Sequence, residues 1–264
     1  MQVTLLGTGG SAGVPMIGGA DGSGEWGVCD PCERRNVRTR SSIAIHGEAG
    51  VLLVDTPPDM RHQLLAARIA RVEAVIYTHA HADHVTGLDD IRLVNRAMGR
   101  PIDAFATEKT LDELIARFGY AFKPWQKPYF FRPVLVPCPV ATDAVIAAAG
   151  MTVRLFDQDH GYTRSLGLRI GGFGYSTDAV ALDDAAFAAL AGVDTWVVGC
   201  FQRDEHHTHA WLGRVLEWVD RLRPRRTVLT HMGVDMDYEW LRGHLPAGVE
   251  PGYDGMTLAI PKGA

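Results

Sequence analysis

YTHAHADHVTGLDD (residues 77–90) is the stretch on which the reading of this sequence turns. It sets His79, His81, Asp83 and His84 within six positions, directly after the apolar run EAVIY (73–77). In an extended chain, residues i and i+2 face the same way. His79 and His81 can therefore offer two imidazoles to one cation just past a buried strand. Asp83 and His84 follow where the chain should turn into a helix, and that turn aims them at a second, neighbouring position. Imidazole nitrogen with carboxylate oxygen suits Zn, Mn or Fe. A solvated, histidine-rich loop is the alternative, and four donors packed behind a buried strand argue against it.

Further ligands have to come from elsewhere in the chain. His160 follows MTVRLFDQD (151–159), Asp178 follows LGLRIGGFGYST (166–177), and His231 ends RTVLTH (226–231). Each stands where an apolar run meets a polar loop, and in α/β sheets the strand ends converge on a site. Any one of them alone would more often be an ordinary polar residue. Together with the 79–84 cluster they read as a set.

The rest of the sequence bounds the class. With 264 residues, 47% of them hydrophobic, there is material for the core of an α/β or two-sheet architecture. A net charge of −5 and a pI near 6.1 argue against a broad basic surface for polymeric nucleic acid, while leaving room for a local phosphate pocket. No apolar run approaches the roughly 20 residues that span a bilayer, and the start MQVTLLGTGG lacks the pattern of a signal peptide. Four cysteines are too few for a disulfide framework, so the cytoplasm is the expected location.

No repeat or linker divides residues 1–264, which read as one domain. Short β-branched runs predict strands at 3–7, 42–47, 50–56, 73–79, 151–156, 166–177, 195–200 and 226–231. Apolar residues at helical spacing predict helices at 58–70, 108–119, 182–192 and 208–222. The mixture predicts a layered α/β protein with mixed sheets. GTGGSAG (7–13) imitates a dinucleotide-binding fingerprint, but Pro15 and the glycine-rich stretch after it cannot make the helix that motif needs.

Other candidates lie around the cluster. Asp55, after VLLV, reads as an acid that orients a ligand histidine. Arg40, Ser41 and Ser42, closing the basic run RRNVRTR (34–40), can hold a phosphate; a solvated basic face is the alternative. FGYAFKPWQKPYFFRP (118–133) reads either as a substrate-covering loop or as a segment packing its own aromatics.

The pattern HxHxDH, then a distant His, an Asp after Ser-Thr and a late His after Leu-Thr resembles the metallo-β-lactamase superfamily. LLGTGGSAGVP, WGVCDPC, LVDTPPD, THAHADHVTGLDDIR, YSTDA, LTHMG and GYDGM narrow the resemblance to the phosphoribosyl cyclic phosphodiesterase (PhnP) group. It implies a four-layer αββα sandwich and a centre of two divalent metals, Mn or Zn, with Fe as an alternative. One metal would take His79, His81 and His160, the other Asp83, His84 and His231, with Asp178 bridging. The implied reaction is hydrolysis of a small cyclic or nucleotide-like phosphodiester by metal-bound hydroxide. Asp83 would orient the water and His209 would protonate the leaving oxygen, with His206 and His207 as lesser candidates. A homodimer is also a family expectation.

The family's additional structural zinc is expected to be absent. Only Cys29 and Cys32 are present, with Gly27 and Val28 just before them and Val234 where a late His would stand. Alternative readings are a tRNase Z-like RNA nuclease, which needs a gripping arm and basic surface that are not evident, a PqqB-like cofactor-biosynthesis protein, and a non-catalytic metal- or nucleotide-binding protein.

Overall fold

Strands with apolar residues on both faces need cover on both sides, and the chain supplies it by stacking two sheets and flanking them with helices. The computed structural model describes residues 1–261. The first sheet takes β1 (Gln2–Gly7), β2 (Ser42–Gly47), β3 (Gly50–Val54), β4 (Ala74–Ile76), β5 (Ile102–Ala106) and β6 (Leu135–Pro139) in sequence order. The second takes β7 (Val145–Ala148), β8 (Met151–Asp159), β9 (Arg164–Ile170), β10 (Phe173–Ser176), β11 (Thr195–Gly199), β12 (Arg226–Thr230) and β13 (Val249–Pro251), also in order. The closing strand β14 (Thr257–Ala259) returns to pair with β1.

Each sheet repeats one plan. β1–β3 form an antiparallel meander and β3–β6 run parallel. β8–β10 and β10–β13 do the same. Parallel strands need crossovers, and helices provide most of them. They are α1 (Met60–Ala66), α2 (Ala82–Val85), α3 (Ile91–Met98), α4 (Glu108–Phe118), α5 (Asp184–Leu190), α6 (Leu212–Leu222) and α7 (Tyr238–His244).

Side-chain alternation assigns the layers. Ile43, Ile45, Leu52 and Val54 face Val153, Leu155, Leu168 and Val197 between the sheets. Ala44, Leu53 and Val75 face outward onto Leu64, Ile91 and Leu111 of the first helical layer. Trp196, Val198 and Leu229 face Leu190, Trp218 and Leu241 of the second. Each fully buried Leu or Ile contributes about 2 kcal/mol by leaving water. The result is the expected αββα sandwich.

Several local expectations shift. The run 166–177 is a hairpin, not one strand: β9 and β10 reverse at Gly171 (φ +56°) and Gly172. The helix expected over 208–222 starts at Leu212, because Phe201 N–H donates to the Ala210 carbonyl and Ala210 N–H to that of Ala179. The loop at 7–13 threads between residues 38–40 and Met232. A Cβ on Gly10 would lie 2.9 Å from the Phe201 ring and 3.6 Å from His231 Cε1, so glycine there serves close packing beside the site.

Candidate metal centre

The C-terminal ends of β3, β4, β8, β10 and β12 lie at one edge of the sandwich, and each delivers a polar side chain there. Asp55, Asp178 and His231 stand immediately after a short strand or one residue beyond it, each with positive φ (63°, 50° and 55°). That conformation is costly for residues with a Cβ and clusters at functional sites. Here it turns a buried side chain out of the strand direction.

Two groups of donors form. His79, His81 and His160 make one and Asp83, His84 and His231 the other, the ligand atoms in each lying within 4.8 Å of one another. Asp178 lies between them. Its Oδ2 is 2.9 Å from His84 Nε2, and its Oδ1 is 3.1 Å from His231 Nε2 and 3.8 Å from His160 Nε2. All of these residues are buried except Asp83 and His81, which are partly exposed.

The nitrogens are close to carboxylates yet not bonded to them. His79 Nε2, His84 Nε2 and His231 Nε2 are buried with no hydrogen-bond partner. His84 Nε2 and His231 Nε2 have short contacts to Asp178 but no hydrogen bond. In the first group His160 Nε2 lies 3.3 Å from His81 Nδ1; buried nitrogens that converge on common points with few partners of their own fit cations at those points.

A supporting network sets the ring tautomers. His84 Nδ1 lies 2.7 Å from Asp55 Oδ2, and His160 Nδ1 lies 2.7 Å from the Thr208 carbonyl. Both acceptors call for a proton on Nδ1, which leaves Nε2 free to face inward. Asp55 also accepts from Thr78 N–H and Oγ1, and Thr78 Oγ1 is 3.0 Å from His79 Nδ1. One buried carboxylate thus orients a histidine in each group. Thr78 had no signal of its own in the sequence beyond its place between Asp55 and the cluster. His231 is held by its neighbours' rings, stacked 5.0 Å from His209 and 5.7 Å from His84.

Electrostatics differ from donor to donor. Burial pushes His160 down to about 4 and His79 well below its usual value. Burial would raise Asp178, but His231 and His84 outweigh it and hold the carboxyl well below the usual range. Burial would likewise lower His84, but Asp178, Asp55 and Asp83 hold it well above. That extra proton is the one a cation would displace.

His209 belongs to the same constellation. Its Nε2 is 3.0 Å from Asp178 Oδ1, and its Nδ1 is 2.9 Å from Thr208 Oγ1 and 3.3 Å from His206 Nδ1. Phe201, which the sequence did not single out, packs its ring 4.9 Å from that of His209.

The remaining candidates lie elsewhere. Arg40 is paired with Asp59, Ser41 Oγ donates to the Gly9 carbonyl from a buried position, and Ser42 Oγ donates to that of Val54. The two serine hydroxyls tie loops together, while Arg40 keeps its Nε without a hydrogen-bond partner. The 118–133 segment stacks Trp125 on Phe130 and borders a surface cavity with Arg96 and Gly99, apart from the histidines. Cys29 is buried and donates to the Val234 carbonyl, beside a buried guanidinium, Arg38; Cys32 is exposed.

The model of the β-lactamase superfamily domain matches residues 51–232, from β3 through His231. The chain belongs to the metallo-β-lactamase superfamily. Its fold superposes on the crystal structure of a diphosphatase from the PhnP family with a TM-score of 0.88 and 30% identity, covering 98% of each chain. Zn-bound PqqB from Methylobacterium extorquens shares the fold, with a TM-score of 0.75 and 20% identity, covering 98% of this chain and all of that one. A Porphyromonas gingivalis protein named octanoyltransferase is 32% identical over 98% of this chain and 52% of its own length. The chain therefore spans about half the length of that relative. This superfamily member carries a buried His/Asp metal site, and no helix among its described residues is long and apolar enough to cross a membrane.

Proposed function

We propose that this protein is a two-metal hydrolase that cleaves a P–O bond in a small phosphate diester or diphosphate. The observation that carries the reading is the convergence of two three-residue donor groups around Asp178, with the inward nitrogens of His79, His84 and His231 unpartnered. The resemblance to a PhnP-family diphosphatase over nearly the full length supports the phosphorus chemistry.

His79, His81 and His160 would hold one cation, Asp83, His84 and His231 the other, and Asp178 would touch both. When bound, such a pair activates a water and neutralises phosphate charge. The chain's residues do the rest. Asp55 and Thr78 fix the rings so that reacting groups meet a preset geometry. Asp83, whose carboxyl is held well below its usual range, stays ionised and can accept a hydrogen bond from the attacking water. His209, at the partly exposed rim with Nε2 facing Asp178, is placed to give a proton to the departing oxygen.

The test is hydrolysis of a chromogenic phosphodiester, ribosyl cyclic phosphates and dinucleoside diphosphates by protein reconstituted with Zn, Mn or Fe. His209→Ala should lower kcat by about 10²-fold or more on substrates with poor leaving groups, and much less on the chromogenic one. Equal turnover by wild type and variant on all substrates would remove His209 from the mechanism.

A further inference from the structure

A cleft of about 340 Å³, lined by His79 and His81 of the centre, lies between α4 and the β8–β9 hairpin. Its size is that of a small-ligand pocket. Three cations line it, but two are committed. Arg117 pairs with Glu113 and donates to the carbonyl of Ala80, the residue between His79 and His81. Arg164 pairs with Asp157 at 2.5 Å. Lys109, in the first turn of α4, is exposed and has no carboxylate partner among the described residues.

Tyr162 stands on the opposite wall. It lies two residues beyond His160, 80% exposed, its ring 5.9 Å from that of His81 and 6.3 Å from that of His160. An aromatic ring left bare at the edge of a cleft that reaches metal-ligating histidines is a stacking surface for a planar or ring-shaped group. A free ammonium facing the same space fits an anion.

We propose that this cleft is the site that reads the substrate's organic portion, and that it takes a nucleotide-type group, its ring against Tyr162 and a phosphate towards Lys109. The inference rests on the two-metal reading for the position of the reacting phosphorus. It assigns specificity to Tyr162 and Lys109 rather than to Arg40 and Ser41, and makes Arg117 the strut joining the pocket wall to the ligand histidines.

Calorimetric binding to the Zn-reconstituted protein tests it, with adenosine diphosphate and inorganic diphosphate as probes. Both carry a diphosphate; only the first carries a ring. Tyr162→Ala should weaken adenosine diphosphate roughly tenfold and leave inorganic diphosphate unchanged, while Tyr162→Phe binds as wild type. Lys109→Ala should weaken both. A Tyr162→Ala variant that loses both probes equally or neither, or wild-type protein that binds inorganic diphosphate as tightly as adenosine diphosphate, overturns the proposal. Because the readout is binding, it stands apart from turnover: a protein that binds both probes as described but hydrolyses no phosphate ester refutes the hydrolase reading alone.

Discussion

Asp55 shows how one residue can serve both halves of a site. It is fully buried, and its carboxylate meets His84 directly and His79 through Thr78. Replacing a carboxylate that orients metal-ligating histidines typically costs 10- to 100-fold in metal affinity. Asp55→Ala should therefore weaken both bound metals by about that factor in chelator competition; loss at one position only would break the Thr78 link. Arg38 is the corresponding residue for the surrounding loops. Its guanidinium, 2% exposed, donates to the carbonyls of Met236 and Gly233 and to Asn36 Oδ1, with Cys29 Sγ 3.9 Å away. These contacts fasten the N-terminal loop to the segment after His231. Arg38→Met leaves buried acceptors unpaired and should cost about 3 kcal/mol in urea unfolding; a change below about 1 kcal/mol would show that water takes over the role.

At the scale of elements, the site is made by strand ends, and that is why so much of it could be read from the sequence. Each donor follows an apolar run, so finding the runs found the donors. Elements were missed where that contrast fades. β5 reads IDAFA, with a charge inside it, and β6 and β7 are strands with exposed faces. In α7 the apolar pattern is short, and the clearest sign of its start is Asp237, whose side chain caps Trp240 N–H. The partners of Arg40 and Ser41, Asp59 and Gly9, were not legible because they are set by packing between segments well apart in the chain. Tyr162 gave no signal at all, since only the hairpin geometry brings it over His81. The glycine loop, legible as a loop but not in its purpose, yields its own prediction. Gly10→Val would push into Phe201 and, behind it, His231, an overpacking cost of about 1–3 kcal/mol in thermal unfolding. Unchanged stability together with unchanged metal retention would mean that the loop moves aside freely.

For the whole molecule, the repeated plan of the two sheets matters most. Each half contributes a meander followed by parallel strands, and the parallel strand ends of both halves meet at the same edge. The first half brings the HxHxDH cluster and Asp55; the second brings His160, Asp178, His209 and His231. The sequence carries no visible repeat because the two halves share topology and not residues. A site divided this way ties metal binding to the docking of the halves, and the core between the sheets is what holds them together.

The central claim is a centre of two metals sharing Asp178. Metal content per chain, measured by mass spectrometry after reconstitution with Zn and removal of excess, tests it most directly. The account predicts two equivalents in the wild type and a sharp loss of both in Asp178→Ala. One equivalent or less in the wild type, or two retained without Asp178, would contradict it.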